Sequence, residues 1–233
     1  MRILLGFCLF FFSMVGQSVG DNYSNMGNNQ LPLSAGPKSA SVQIELQDLS
    51  ATAEDIYDLA KVSKWRKIRK KLEKLKKAEK DIKLLRNEEN GFFSQRLRNK
   101  IEDLEQAISA KNRKDTMRFA NNITLLEVAM IGELKPRVPT NVMLLDYCGR
   151  ELEILSEEKD IDKLSSLVVR MHLIWQNLIP QLGNKGDTED IKRFSEIMKR
   201  LERAKTPEEY NHLAKQVLDE VDTIEKVFKK NTK

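Results

Sequence analysis

The chain has 233 residues, with 40 lysines and arginines against 35 aspartates and glutamates, and only two histidines and two cysteines. Charged residues make up 32% of the chain and hydrophobic residues 40%, which is typical of a soluble helical protein. Two histidines leave few metal ligands and few general bases, so the composition argues against metal centres and histidine-based catalysis.

Residues 1–20 have the pattern of a secretory signal peptide. Arg2 precedes an apolar run from Ile3 to Val15, and the small residues at Ser18–Gly20 provide a cleavage site before Asp21. A retained membrane anchor is the alternative, but the run is shorter than the ~20 apolar residues that cross a bilayer. The sequence therefore predicts export, to a periplasmic or extracellular location.

The next segment, residues 21–51, is rich in Asn, Ser, Gly and Pro and is predicted to be a flexible tether. Near its end Val42, Ile44 and Leu46 alternate with polar residues, a period of two that fits a short strand or a segment laid against the domain. From residue 52 onward, apolar residues recur at steps of three and four, so residues 52–233 are predicted to form an all-α domain.

Strong helix breakers divide this domain into four long segments; they lie at 87–91, 135–140 and 183–186. Each segment also contains a weaker break; these lie at 60–63, 110–112, 158–160 and 204–207. If the weaker breaks are kinks, the chain forms an up-and-down antiparallel bundle of four long helices, which we favour. If they are turns, the chain forms a short stack of helical hairpins.

The weaker breaks are spaced almost evenly along the chain. Measured from Ser63, Asn112, Asp160 and Thr206, the intervals are 49, 48 and 46 residues, which suggests an internal repeat. The last break is also a strong helix start, because Thr206 is suited to the N-cap and Pro207 to the first helical position.

The sharpest chemical feature is a basic run from Lys61 to Arg86, where thirteen lysines and arginines face three acidic residues, a net charge of +10. The whole chain carries only +5 and the signal segment removes Arg2, so the rest of the mature chain sums to −6. A basic amphipathic helix of this kind is typical of binding to an anionic polymer, an anionic lipid surface or an acidic protein.

The residues predicted to carry such binding are the cations of the run's central part: Lys64, Arg66, Lys67, Lys70, Lys71, Lys74, Lys76 and Lys77. The competing interpretation is a solvated face whose lysines pair with acidic neighbours such as Glu102, Asp103 and Glu105. Nucleic acid is not expected as the partner, because the protein is exported and no aromatic ladder interleaves the lysines.

A metal, haem or small-molecule carrier is the alternative function, since a helical bundle can present ligands inward. Glu209 and His212 share one helical face as Glu-x-x-His, but the second copy required by a di-iron bundle is missing, because Val169 occupies the matching position before His172. His172, Met171 and His212 remain weak candidates, and no cofactor is expected.

No catalytic motif is present: the sequence lacks a Gly-rich phosphate loop, His-Glu-x-x-His and Gly-x-Ser-x-Gly. The sequence therefore predicts a protein that is not an enzyme and that binds a macromolecule or an anionic envelope component through a helical face. A purely structural spacer would differ by having no saturable partner. Whether the chain is a monomer or an oligomer is not decided.

One helical stretch around Gly149 has an unusual composition. Asp146 and Arg150 can pair at i, i+4, and a glycine inside a helix permits a close helix crossing. Cys148 is the only cysteine left after signal removal and is predicted to be buried and unreactive.

Overall fold

A computed structural model describes residues 37–86, 91–134, 136–183 and 188–230, and every regular element in these ranges is helical. The predicted all-α class is thus confirmed for this part of the chain. The helices are α1 Pro37–Lys61, α2 Trp65–Arg86, α3 Phe92–Ser109, α4 Arg113–Ile131, α5 Thr140–Glu158, α6 Ile161–Gly183, α7 Thr188–Arg203 and α8 Pro207–Lys230, with a 3₁₀ turn at Gly132–Leu134. Within these ranges no helix has the length and apolar character that crossing a membrane requires.

The weaker breaks are turns, so the favoured arrangement of four long helices is wrong and eight helices are present in the described ranges. The helices on the two sides of each break pack against each other as hairpins. At three breaks the chain reverses through a left-handed residue, with φ of 54° at Ser63, 52° at Lys111 and 59° at Lys159. These residues are exactly 48 positions apart, which agrees with the repeat suggested by the sequence.

The first three turns share one hydrogen-bond pattern. The amide of the residue after the left-handed position donates to a carbonyl five residues back, from Lys64 to Leu59 (2.9 Å), Asn112 to Ala107 (2.9 Å) and Asp160 to Leu155 (3.3 Å). This is the Schellman closure of a helix, and it satisfies carbonyls that the helix end leaves without partners.

The strand alternative and the predicted end of the tether are both wrong, because α1 starts at Pro37, whereas the alternative of a segment laid against the domain agrees with the structure. Val42, Leu46 and Leu49 are fully buried along one face of α1, whereas Ile44 is 59% exposed. The helical spacing of three and four therefore prevails over the period of two, and residues 37–51 belong to the helical domain. The predicted signal peptide and the rest of the tether lie outside the described residues.

The eight helices surround two separate hydrophobic cores. Helices α1–α4 enclose the first core and α5–α8 the second, and in each set the first helix also packs against the last. Each half thus closes into a four-helix arrangement. The two halves meet where α4 packs against α5, and Ile154 of α5 reaches into the first core.

Gly149 lies where α5 crosses α8, as the sequence predicts. A Cβ at this position would lie 2.7 Å from Leu218 Cδ2 and 3.2 Å from Val217 Cγ1, so a side chain here would force these side chains of α8 to shift. The glycine therefore has a packing role in the second half.

Candidate functional site

The basic run lies mainly on α2, which packs between α1 and α3. Ile68, Leu72, Leu75 and Ile82 are buried in the first core. Because these positions form one helical stripe, the lysines and arginines between them point away from the core. Trp65 also packs against the core, so no aromatic ring joins the cations on the outer side of the helix.

We define the basic face as the exposed cations of this run that form no ion pair within 4 Å with any described residue. It contains Lys64, Arg66, Lys67, Arg69, Lys70, Lys74, Lys77 and Lys80. Six of these residues are predicted from the sequence, whereas Arg69 and Lys80 are additions that only their exposure identifies.

Two of the predicted residues lie instead in ion pairs with neighbouring helices. Lys71 pairs with Asp55 of α1, and Lys76 pairs with Glu105 of α3. The expected neutralisation by acidic neighbours thus occurs at Glu105, whereas Asp103 pairs with Lys100 of its own helix at 3.2 Å. Most cations of the basic run therefore form no ion pair within the described structure.

The basic face forms a long strip of positive charge along α2. Its cations run from position 64 to position 80 of the chain, about 24 Å of helix at ~1.5 Å per residue. Cations three or four positions apart on a helix repel one another, at a cost of about 0.2–0.5 kcal/mol per pair. An anionic partner would relieve this repulsion. The strip has exposed apolar residues near its ends, with Val62 61% exposed and Leu84 76% exposed.

The weak histidine candidates lie on the surface of the second half. His172 is half exposed, with its Nδ1 2.7 Å from Glu202 Oε1, whereas the adjacent Met171 is fully buried. His212 is exposed, and its Nε2 lies 3.0 Å from Gln216 Nε2. No group of three or more His, Cys, Asp or Glu residues is placed to hold a metal ion anywhere in the described ranges.

Glu209 has a local structural role at the start of α8. Its carboxylate accepts hydrogen bonds from the amides of Lys205 (2.7 Å) and Thr206 (3.1 Å), and its own amide donates to Thr206 Oγ1 (3.3 Å). This reciprocal pair is a capping box, and the Lys205 and Thr206 amides lower the pKa of Glu209. The Glu-x-x-His pattern is therefore explained by the helix start.

Comparisons with protein-family models, with curated proteins and with solved structures found no match. No functional residue is therefore transferred to this chain from another protein. Function is therefore inferred from the charges, contacts and cavities of the molecule itself.

A buried polar network, most of which could not be predicted from the sequence, lies at the contact between the two halves. Its hub is Arg150 of α5, which is only 7% exposed. The guanidinium donates from Nη2 to Asp146 and to Glu54 Oε1 (3.3 Å), and from Nε to Asn121 Oδ1 (3.2 Å). One side chain thus joins α1, α4 and α5.

A second part of the network ties α1 to α5. Tyr57 Oη donates to Glu153 Oε2 (2.7 Å), and Lys61 Nζ lies 2.7 Å from the same carboxylate oxygen. Burial, aided by the negative charge of Glu153, raises the pKa of Tyr57 far above its usual range, so the phenol stays a donor.

The carboxylates around Arg150 are partly deprived of water. Burial raises the pKa of Glu54 to about 7, although Arg150 opposes the shift, and burial raises the pKa of Asp146 against the same opposition. For Arg150, burial lowers the pKa, but Asp146 and Glu54 outweigh that effect and keep the guanidinium charged. Nearby Cys148 has its pKa raised to about 12 by burial, so it remains an unreactive thiol, as expected from the sequence.

Only the pair of Asp146 and Arg150 could be predicted, because it lies within one helical turn. Glu54 and Arg150 are 96 residues apart, and Tyr57 and Glu153 also 96, so helical periodicity contains no signal for these contacts.

Proposed function

We propose that this protein is an exported, non-catalytic helical protein that binds an anionic macromolecular partner through the basic face. The partner classes that fit are an anionic envelope polymer, an anionic lipid surface and an acidic protein. The proposal rests on one observation: eight exposed cations on and just before α2 have no ion pair within the described structure. Export, to the periplasm or the exterior, is proposed from residues 1–20.

Two physical arguments support binding rather than simple solvation. Like charges spaced three and four positions apart destabilise the isolated helix, and a polyanion removes that cost. The positive charge is also local, since the mature chain outside the run sums to −6. A polyanion would therefore be steered to this side of the molecule, with a strong dependence on salt.

The carrier function remains the alternative, and His172, Met171 and His212 give it little support. Met171 is buried, whereas the two histidines lie on the surface of different helices. No described contact brings these three residues together, so they do not form one ligand site in the described structure.

Charge reversal tests the proposal. We expect the fourfold variant Lys67→Glu, Lys70→Glu, Lys74→Glu and Lys77→Glu to lose binding to vesicles rich in phosphatidylglycerol and to soluble poly-glutamate. Lysine and glutamate have similar helix propensity, so the helix should persist. Vesicle co-sedimentation and fluorescence anisotropy measure the two interactions at low and high salt.

The matched control reverses four exposed lysines of the second half, namely Lys192, Lys199, Lys215 and Lys226. It changes the net charge equally and should keep most of the binding. Equal loss in both variants would show a response to net charge alone, and binding that does not change with salt would contradict the basic face as the site. Pure phosphatidylcholine vesicles should not bind.

A further inference from the structure

A cavity of about 580 Å³ lies between the two halves. Helices α1 and α4 supply one side, α5 and α8 the other, and Pro136 and Val138 also line the cavity. Part of the wall is apolar, including Val128 and Ile131 of α4 and Val142 of α5. This size lies within the ~300–1,000 Å³ typical of small-molecule sites.

The charged part of the wall is strongly acidic. Seven carboxylates and two cations line the cavity. Arg150 is engaged by Glu54 and Asp146, and Lys229 Nζ lies 2.6 Å from Glu225 Oε1. The other four carboxylates form no ion pair with any residue in the described ranges; they belong to Asp48, Asp58, Glu127 and Asp222.

Glu127 is the exceptional member of this group. It is fully buried on α4, and neither of its carboxylate oxygens accepts a hydrogen bond from the described structure. Burial raises the pKa of Glu127 to about 8; Glu54 and Asp146 add to the shift, and the Ser50 hydroxyl, which lies nearby but donates to Glu54 Oε1 (3.4 Å), opposes it. A buried acceptor left without a donor loses the hydrogen bonds that water would give it, so a donor placed in the cavity would be stabilising.

We propose that this cavity binds a small organic cation, a primary amine or guanidine with a short aliphatic body, and that Glu127 is its anchor. The ammonium or guanidinium would donate to the unpaired carboxylate oxygens, in a charge-assisted bond of the kind that is strongest in proteins. The aliphatic part would pack on the valine and isoleucine wall.

An organic cation fits better than a metal ion for two reasons. No cluster of three or more His, Cys, Asp or Glu side chains in the described ranges is arranged to coordinate a metal. The cavity is also far larger than a single ion, and part of its wall is apolar. The site is independent of the basic face, because α2 contributes no residue to the cavity.

Isothermal titration calorimetry of the whole protein near pH 7 tests the proposal with butylamine, 1,4-diaminobutane and agmatine as probes. We expect at least one probe to bind saturably, whereas 1-butanol and butyrate, similar in size but neutral and anionic, should not. Because binding would drive a proton from Glu127 into solution, the measured enthalpy should change with the ionisation enthalpy of the buffer.

Three variants make the test specific. Glu127→Gln should weaken binding by tenfold or more and abolish the buffer dependence, whereas Glu196→Gln, an exposed position on α7, should change neither. Ala51→Phe should block the cavity from its exposed edge without altering charge. Absence of binding by every cation, equal binding of 1-butanol, or unchanged affinity in Glu127→Gln would each overturn the proposal.

Discussion

Glu127 shows how strongly a single residue can depend on its surroundings. Its carboxyl is fully buried on α4 and has no hydrogen-bond donor within the described structure. Titratable or polar groups face the same cavity from every helix around it: Ser50 and Glu54 from α1, Asp146 and Arg150 from α5, and Asp222 and Glu225 from α8. Since most of these groups are acidic, their negative charges disfavour ionisation of the Glu127 carboxyl.

This environment predicts a specific dependence of stability on pH. The pKa of Glu127 is raised to about 8 in the folded state, against 4.5 when unfolded, so between these values the folded protein binds the additional proton. The free energy of unfolding must then fall as the pH rises through this window. Glu127→Gln removes the carboxyl, and its stability relative to wild type should increase by about 1–3 kcal/mol from pH 5 to pH 8.

Urea denaturation of both proteins at pH 5, 6.5 and 8 measures this difference, because the remaining ionisable groups are common to both. Glu196→Gln serves as the control, since its side chain is exposed and is not part of the lining of this cavity. A stability difference between wild type and Glu127→Gln that stays constant across the range would contradict the buried, unpaired state of this carboxyl.

At the scale of single elements, helix starts with a side-chain cap could be predicted, whereas the reversals at the weaker breaks could not. Asn112 caps α4 by accepting from the Asp115 amide (3.3 Å), and Thr206 caps α8, both from side chains visible in the sequence. The left-handed residues Ser63, Lys111 and Lys159 are not glycines, so the sequence contains no direct signal for a reversal there. Because that signal is absent, the sequence favours kinked long helices.

The same three residues provide a stability prediction. A left-handed conformation costs a non-glycine residue ~1–2 kcal/mol, whereas glycine costs ~0.5–1 kcal/mol of additional chain entropy. Lys111→Gly and Lys159→Gly should therefore each raise the free energy of unfolding by about 0.5–1 kcal/mol, measured by urea denaturation. Lys70→Gly, in the interior of α2 and also exposed, should lower the free energy by about 1 kcal/mol.

Lys111→Gly and Lys70→Gly both lose the same lysine side chain. If they change the free energy of unfolding in opposite directions, the difference must come from the backbone conformation at the two positions. If Lys111→Gly and Lys70→Gly destabilise the protein equally, the turn between α3 and α4 does not use the left-handed conformation. The result would also bear on the shared turn geometry, because Ser63 and Lys159 adopt the same φ region.

At the scale of the whole molecule, the sequence reveals the helical content and the basic face but not the division into two cores. The basic face could be predicted because its cations and the buried Ile68, Leu72 and Leu75 follow one helical period. The cavity and the Arg150 network could not, since contacts such as Glu54 to Arg150 and Tyr57 to Glu153 join positions 96 residues apart and have no local pattern.

The contact between the halves includes a buried polar network, and this has a consequence for stability. Arg150, Glu54 and Asn121 lie at this contact beside a cavity, whereas most buried apolar side chains belong to one core or the other. Polar contacts between packed units permit separate opening more readily than apolar ones do. We therefore expect the two halves to unfold as distinct units under native conditions.

Leu201→Ala tests this expectation, because Leu201 is fully buried in the second core. Loss of the side chain should cost about 2–5 kcal/mol and should lower the hydrogen-exchange protection of α5–α8 by the corresponding factor. Protection of α1–α4 should stay near its wild-type level, and Leu104→Ala in the first core should give the reverse pattern. Hydrogen exchange measured by mass spectrometry resolves both halves in one experiment. An equal loss of protection in α1–α4 and α5–α8 would show instead that the contact between the halves couples them into one cooperative unit.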